Sequence, residues 1–205
     1  MRVVPEDRTR FGPADRVTFA RAVLTCAVAG LAGAAAVDGL EAPASQAGGV
    51  GLLVGLAAVA LVLDAVDGWV ARHTRTVSAF GARFDLEVDA FLIAVLSLHV
   101  AREVGWWVAA IGAVRYVLLM AQQLLPWLRI ELPPSRWRKV VAAYQGIALT
   151  AVAAHALPSG VAAAVLATGL VALAISFGTE VRSLWRLRPP PVMEPVPACI
   201  GSVLE

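Results

Sequence analysis

The sequence predicts an all-α integral membrane protein built on six transmembrane helices. Three observations carry this expectation. The mean hydropathy is +0.75. Charged residues make up 16% of the 205-residue chain, well below the roughly 25% of soluble domains. Apolar stretches near 20 residues long recur along the chain, and at about 1.5 Å of rise per residue each can cross a hydrocarbon core of about 30 Å.

The first stretch runs over 17–37. Pro13 is suited to the first turn of a helix, and the Asp15 carboxylate can cap its free N–H groups. The run is long enough to span, so it is read as a transmembrane helix rather than as a cleaved secretory signal. The second covers 47–66 and contains "GLLVGLAAVALVL". The third and fourth cover 84–101 and 104–127. The fifth, 140–157, is the least secure, and the sixth covers 160–181. Small residues fill these runs, as in "VAGLAGAAA" and "GVAAAVLATG", and let helices approach closely in lipid. The expected organisation is a juxtamembrane segment at 1–16, a six-helix catalytic domain at 17–185, and a proline-rich tail at 186–205, extended or disordered.

Charge gives the orientation. Arg2, Arg8, Arg10 and Arg16 precede the first span, and Arg72, Arg75 and Arg83 lie between the second and third. Arg129, Arg136, Arg138 and Lys139 lie between the fourth and fifth, and Arg182, Arg186 and Arg188 close the chain. The connections "DGLEAPASQAGG" and "HALPSG" carry no Lys or Arg, and the third turn has only Arg102 beside Glu103. The positive-inside rule then places both termini and the aspartate-rich connection in the cytoplasm. A net charge of +2, with no basic run interleaved with aromatics, argues against nucleic acid as a partner. Cys26 and Cys199 are far apart and show no metal or redox spacing.

The stretch "DAVDGWVARHTRTVSAFGARFDLEVD", residues 64–89, concentrates carboxylates beside lipid. Asp64 and Asp67 are three apart and share a helix face, and Asp85 and Asp89, four apart, share another. Glu87 falls on a different face and reads as solvated or structural. A short turn brings the two pairs together. Carboxylates gathered in a partly dry site take up protons or cations. An all-oxygen set without His or Cys suits Mg²⁺, Mn²⁺ or Ca²⁺ rather than zinc. Two such ions can bridge four carboxylates and leave positions open for a phosphate. Gly68 leaves backbone room for a ligand, Arg72 can clamp a phosphate oxygen, and Gly81 allows a close approach.

The spacing D-x2-D-G-x2-A-R-x8-G-x3-D-x3-D is filled by Asp64, Asp67, Gly68, Ala71, Arg72, Gly81, Asp85 and Asp89. It resembles the signature of the CDP-alcohol phosphotransferase (CDP-alcohol phosphatidyltransferase) family. Eight prescribed residues match by chance at a given start with a probability on the order of 10⁻⁹ to 10⁻¹⁰ at ordinary residue usage. The family's first span often opens as N-x-x-T-x-x-R; here Asp15, Thr18 and Arg21 stand in that pattern, with Asp in place of Asn.

The resemblance implies a six-helix homodimer in the membrane, with its active site open to the cytoplasm. The reaction it implies displaces CMP from a CDP-activated alcohol by a second alcohol. It implies that Asp64, Asp67, Asp85 and Asp89 hold two divalent cations, Mg²⁺ or Mn²⁺. Gly68, Arg72 and Gly81 would contact the CDP group, and Asp89 would also serve as general base. The expected donor is a CDP-activated lipid, CDP-diacylglycerol, and the expected acceptor a polar, phosphorylated alcohol.

Candidate acceptor contacts are Arg115, inside the fourth span, and Arg138 and Lys139 at the start of the fifth. Arg115 reads equally well as snorkelling or paired with a helix-end carboxylate. Relatives using phosphorylated acceptors often show G-K-x-K-T-x-x-Q at the fifth span; Lys139 and Gln145 keep that spacing, while Arg138, Val141 and Ala142 replace Gly, Lys and Thr. His73, His99 and His155 stand singly and are not expected to be catalytic. Trp106, Trp107, Trp127, Trp137 and Trp185 fall near span ends, as interfacial anchors do. Three other functions compete: a CDP-linked small alcohol as donor to a lipid acceptor, an intramembrane prenyltransferase, and an aspartate-lined cation carrier. A carrier needs carboxylates near mid-membrane, and a prenyltransferase places its aspartate motifs much farther apart.

Overall fold

The computed structural model describes residues 13–38, 43–74, 79–124 and 136–186. They form six α-helices: α1 (Pro13–Asp38), α2 (Pro43–Thr74), α3 (Ala79–Val104), α4 (Ala109–Leu124), α5 (Arg136–Ala153) and α6 (Ser159–Arg186). No strand occurs among the described residues. Three segments, Thr18–Val37, Gly48–Val66 and Ser159–Trp185, are long and apolar enough to cross a membrane by length and composition. The all-α membrane fold stands. The juxtamembrane segment up to residue 12 and the tail from residue 187 lie outside the described residues.

α1, α2, α3 and α6 outrun the apolar stretches that announce them, whereas α4 starts at Ala109 rather than 104 and α5 ends at Ala153 rather than 157. α1 starts at Pro13, the residue whose missing N–H costs nothing in a first turn. α2 continues past its apolar run through "DAVDGWVARHT" to Thr74, and α3 resumes at Ala79. The carboxylates therefore lie on helices, and the connection between the two pairs is far shorter than the polar stretch suggests. Hydropathy marks where lipid ends; a helix satisfies its own backbone and can continue into water.

α3 is the central helix, packing against α1, α4, α5 and α6. Its Leu92, Leu96 and Val100 are buried against Val28 of α1, Leu149 of α5 and Leu166 of α6. Small residues set the closest approaches, as expected where packing rather than hydrophobicity drives association in lipid. A Cβ on Gly112 of α4 would fall 2.5 Å from Ala94 Cα and would also overlap Ser97 Oγ on α3. One on Gly146 of α5 would fall 2.8 Å from Leu61 Cδ2 on α2. The α5–α6 pair is joined by Tyr144 Oη donating to Val165 O at 3.0 Å and Gln145 Nε2 donating to Gly169 O at 3.3 Å. Gln145, one of two residues kept from the acceptor pattern, thus links two helices.

The end of α3 away from the aspartates is tied by polar contacts. Arg102 donates to Ala36 O in the last turn of α1 at 3.0 Å, satisfying a terminal carbonyl. Gly105, at φ 143°, turns the chain into the short 3-10 segment Trp106–Val108, a conformation that favours glycine. His155, expected to stand alone, places Nε2 3.1 Å from Glu103 Oε2. Trp106, Trp107, Trp137 and Trp185 are exposed near helix ends, where interfacial anchors belong. Trp127 lies outside the described residues.

Candidate active site

Asp64 lies towards the end of α2, and Asp85 and Asp89 lie near the start of α3; α1 packs against both helices. Asp64 lies ten residues before Thr74 and Asp89 ten residues after Ala79. At about 1.5 Å per residue, both sit about 15 Å in from their helix ends. Asp64 falls in the last turn of the apolar segment Gly48–Val66, at the edge of the lipid-spanning part. Asp64, Asp85 and Asp89 each offer a carboxylate oxygen, and these oxygens lie within 4.8 Å of one another. The three side chains are between 34% and 38% exposed, so the cluster opens to one side and backs onto the bundle.

The back of the cluster is Arg21, in the third turn of α1 and 1% exposed. Its Nη1 lies 3.0 Å from Asp64 Oδ1 and donates to Asp85 Oδ1, while Nη2 donates to Asp89 Oδ1. Thr18, three residues earlier on the same face, is also buried, and Thr25, one turn later, bonds its hydroxyl to Arg21 O at 2.9 Å. A guanidinium this deep is tolerable only when its charge is matched. Here three carboxylates from two other helices match it and leave an excess of negative charge. That excess, on oxygen donors alone, fits a hard divalent cation such as Mg²⁺ or Mn²⁺.

The remaining motif residues fall on the same two helices. Asp67, Gly68 and Arg72 lie on α2, and Gly81 lies in the first turn of α3. The side chains of Asp67 and Arg72 lie outside the described residues.

The three acceptor candidates are not equivalent. Arg115 of α4 pairs its Nη2 with Glu87 Oε1 of α3. This realises the helix-carboxylate pairing weighed for Arg115 and gives Glu87 a structural role. Arg138 is half-buried and Lys139 exposed, both in the first turn of α5. The residue that sequence reasoning left out of the site is Arg21. Its signal was present: a cation inside an apolar span, on one face with Thr18 and Thr25.

The fold and the cluster define a helical membrane protein with an acidic, all-oxygen site at the lipid boundary. The CDP-alcohol phosphatidyltransferase profile matches residues 12–177, and the chain belongs to that family. It is a family of membrane transferases acting on CDP-alcohols, generally dependent on divalent cations. No curated protein matches the chain.

Proposed function

We propose that the protein transfers a phosphatidyl group from CDP-diacylglycerol to the hydroxyl of a polar, phosphorylated alcohol, releasing CMP. The observation that carries this reading is the convergence of Asp64, Asp85 and Asp89 at the lipid boundary, within a complete family motif. A donor with a lipid tail and a water-soluble diphosphate reacts where those two environments meet.

The acceptor oxygen attacks the phosphorus bearing the diacylglycerol. A new P–O bond forms, the bridging bond to the CMP phosphate breaks, and the hydroxyl proton moves to Asp89. Asp64, Asp67, Asp85 and Asp89 are the residues that would hold two divalent cations, which when bound neutralise charge on the diphosphate and the departing CMP. Gly68 and Gly81 leave room for the donor, and Arg72 clamps one of its phosphate oxygens. Asp89, a third exposed, has access to an incoming hydroxyl. Lys139 and Arg138 at the start of α5 supply positive charge for the acceptor's phosphate, while Arg115 is paired with Glu87. The active protein is a homodimer, as the family resemblance implies, and both termini and this site lie in the cytoplasm, an orientation supported by the arginine distribution.

The test is purified protein with CDP-diacylglycerol and a panel of acceptors: inositol phosphate, glycerol phosphate, serine and inositol. CMP release with a phosphorylated acceptor is expected. Turnover of serine or inositol alone would overturn the phosphorylated acceptor. Release only when a CDP-linked small alcohol meets a lipid acceptor would overturn the donor.

A further inference from the structure

Among the described residues, Arg21 is the sole buried Lys, Arg, Asp or Glu. Its two terminal nitrogens bind Asp64, Asp85 and Asp89, the same three residues whose oxygens converge within 4.8 Å. The guanidinium therefore engages one oxygen, Oδ1, of each of the three carboxylates from which a bridging cation would draw its ligands. Two positive groups cannot share those oxygens comfortably. They would repel in a partly desolvated pocket, and an oxygen lone pair directed at an N–H is unavailable to a metal ion.

We infer that Arg21 is a built-in competitor of the divalent cation: it holds Asp64, Asp85 and Asp89 together, and cation loading displaces it from Asp85 and Asp89. This rests on the cation site proposed above. Two further features suit a group that must let go. The guanidinium is held at its terminal nitrogens only; its buried Nε–H has no hydrogen-bond partner among the described residues. The hydrogen bond from Thr25 anchors the backbone at Arg21 O, not the guanidinium, so rotation of the side chain can release the carboxylates without moving α1. Arg21 is thus a positioning residue. It offsets the mutual repulsion of the carboxylates and raises the cation concentration needed to fill the site.

The opposite reading makes Arg21 a permanent pillar that orients the carboxylates for the ion. The two differ in sign. The full-length protein in detergent is titrated with Mn²⁺, and bound ion is counted by electron paramagnetic resonance for wild type, Arg21→Met, Arg21→Lys and Asp85→Asn. Competition predicts that Arg21→Met binds Mn²⁺ about tenfold more tightly or better, the scale of a lost charge-assisted contact, with Arg21→Lys between. In the wild type, labelling of Arg21 by phenylglyoxal, read by mass spectrometry, rises when Mn²⁺ is added; this measurement stands even if Arg21→Met does not fold. Unchanged or weaker Mn²⁺ binding in the Arg21 variants, or labelling of Arg21 indifferent to Mn²⁺, overturns the competition while leaving the cation site intact. A wild type that binds Mn²⁺ no better than Asp85→Asn removes both.

Discussion

Asp89→Asn separates the two roles proposed for one carboxylate. The substitution keeps the side chain's shape and an oxygen that can accept from Arg21 Nη2, and Asp64 and Asp85 still hold the guanidinium. Because Asp89 is 34% exposed, little packing is at stake. What disappears is one negative charge of the three converging on Arg21, and the only basic group proposed for the acceptor proton. A positioned general base contributes about 10²–10⁴-fold. At about 1.36 kcal/mol per decade, that is roughly 3–5 kcal/mol of barrier. Donor binding keeps two of the described carboxylates and the α2 motif residues, so the KM for CDP-diacylglycerol should change by no more than about threefold. The assay is CMP release at saturating Mg²⁺, varying the donor at fixed acceptor and then the reverse. Equal losses in kcat and in donor affinity would reduce Asp89 to a ligand. Retained turnover would refute its place in the chemistry.

Three other outcomes follow from the same geometry. Lys139→Ala should raise the acceptor KM about tenfold, the scale of one charge-assisted contact, and leave the donor KM nearly unchanged. In a background lacking Cys26 and Cys199, a cysteine placed within 38–49 should label from outside, and Arg75→Cys only after the membrane is opened; the reverse pattern inverts the orientation. Gly112→Leu should lower the thermal midpoint, because its side chain would enter the space of Ala94 and Ser97, an overpacking worth about 1–3 kcal/mol; an unchanged midpoint would mean that α3 and α4 do not approach this closely.

The carboxylate pairs were legible in the sequence because their spacing is local: three and four residues on a helix fix a shared face before any tertiary contact forms. Three of the expected lipid-spanning runs, the first, second and sixth, were legible because the bilayer imposes a length. Helix ends were not, as α2 shows by running to Thr74 through residues too polar for lipid. Long-range partners were hidden for a different reason. Arg21 meets Asp85 and Asp89 across 64 and 68 residues of chain, and no periodicity encodes such a meeting. Arg115 and Glu87 read separately as an acceptor contact and a solvated acid; their pairing depends on how α3 and α4 dock. His155 and Glu103 are a third case, joined only because α5 ends beside the end of α3.

The claim on which the rest depends is that this carboxylate cluster performs cation-assisted transfer from a CDP-alcohol. Purified protein, treated exhaustively with a chelator and then passed into metal-free buffer, is given CDP-diacylglycerol and a phosphorylated acceptor. CMP release should fall to background and return on addition of Mg²⁺ or Mn²⁺, and Asp85→Asn should not recover with it. Full CMP release from the chelated protein, unaffected by either ion, would contradict the assignment of Asp64, Asp85 and Asp89 to a cation site.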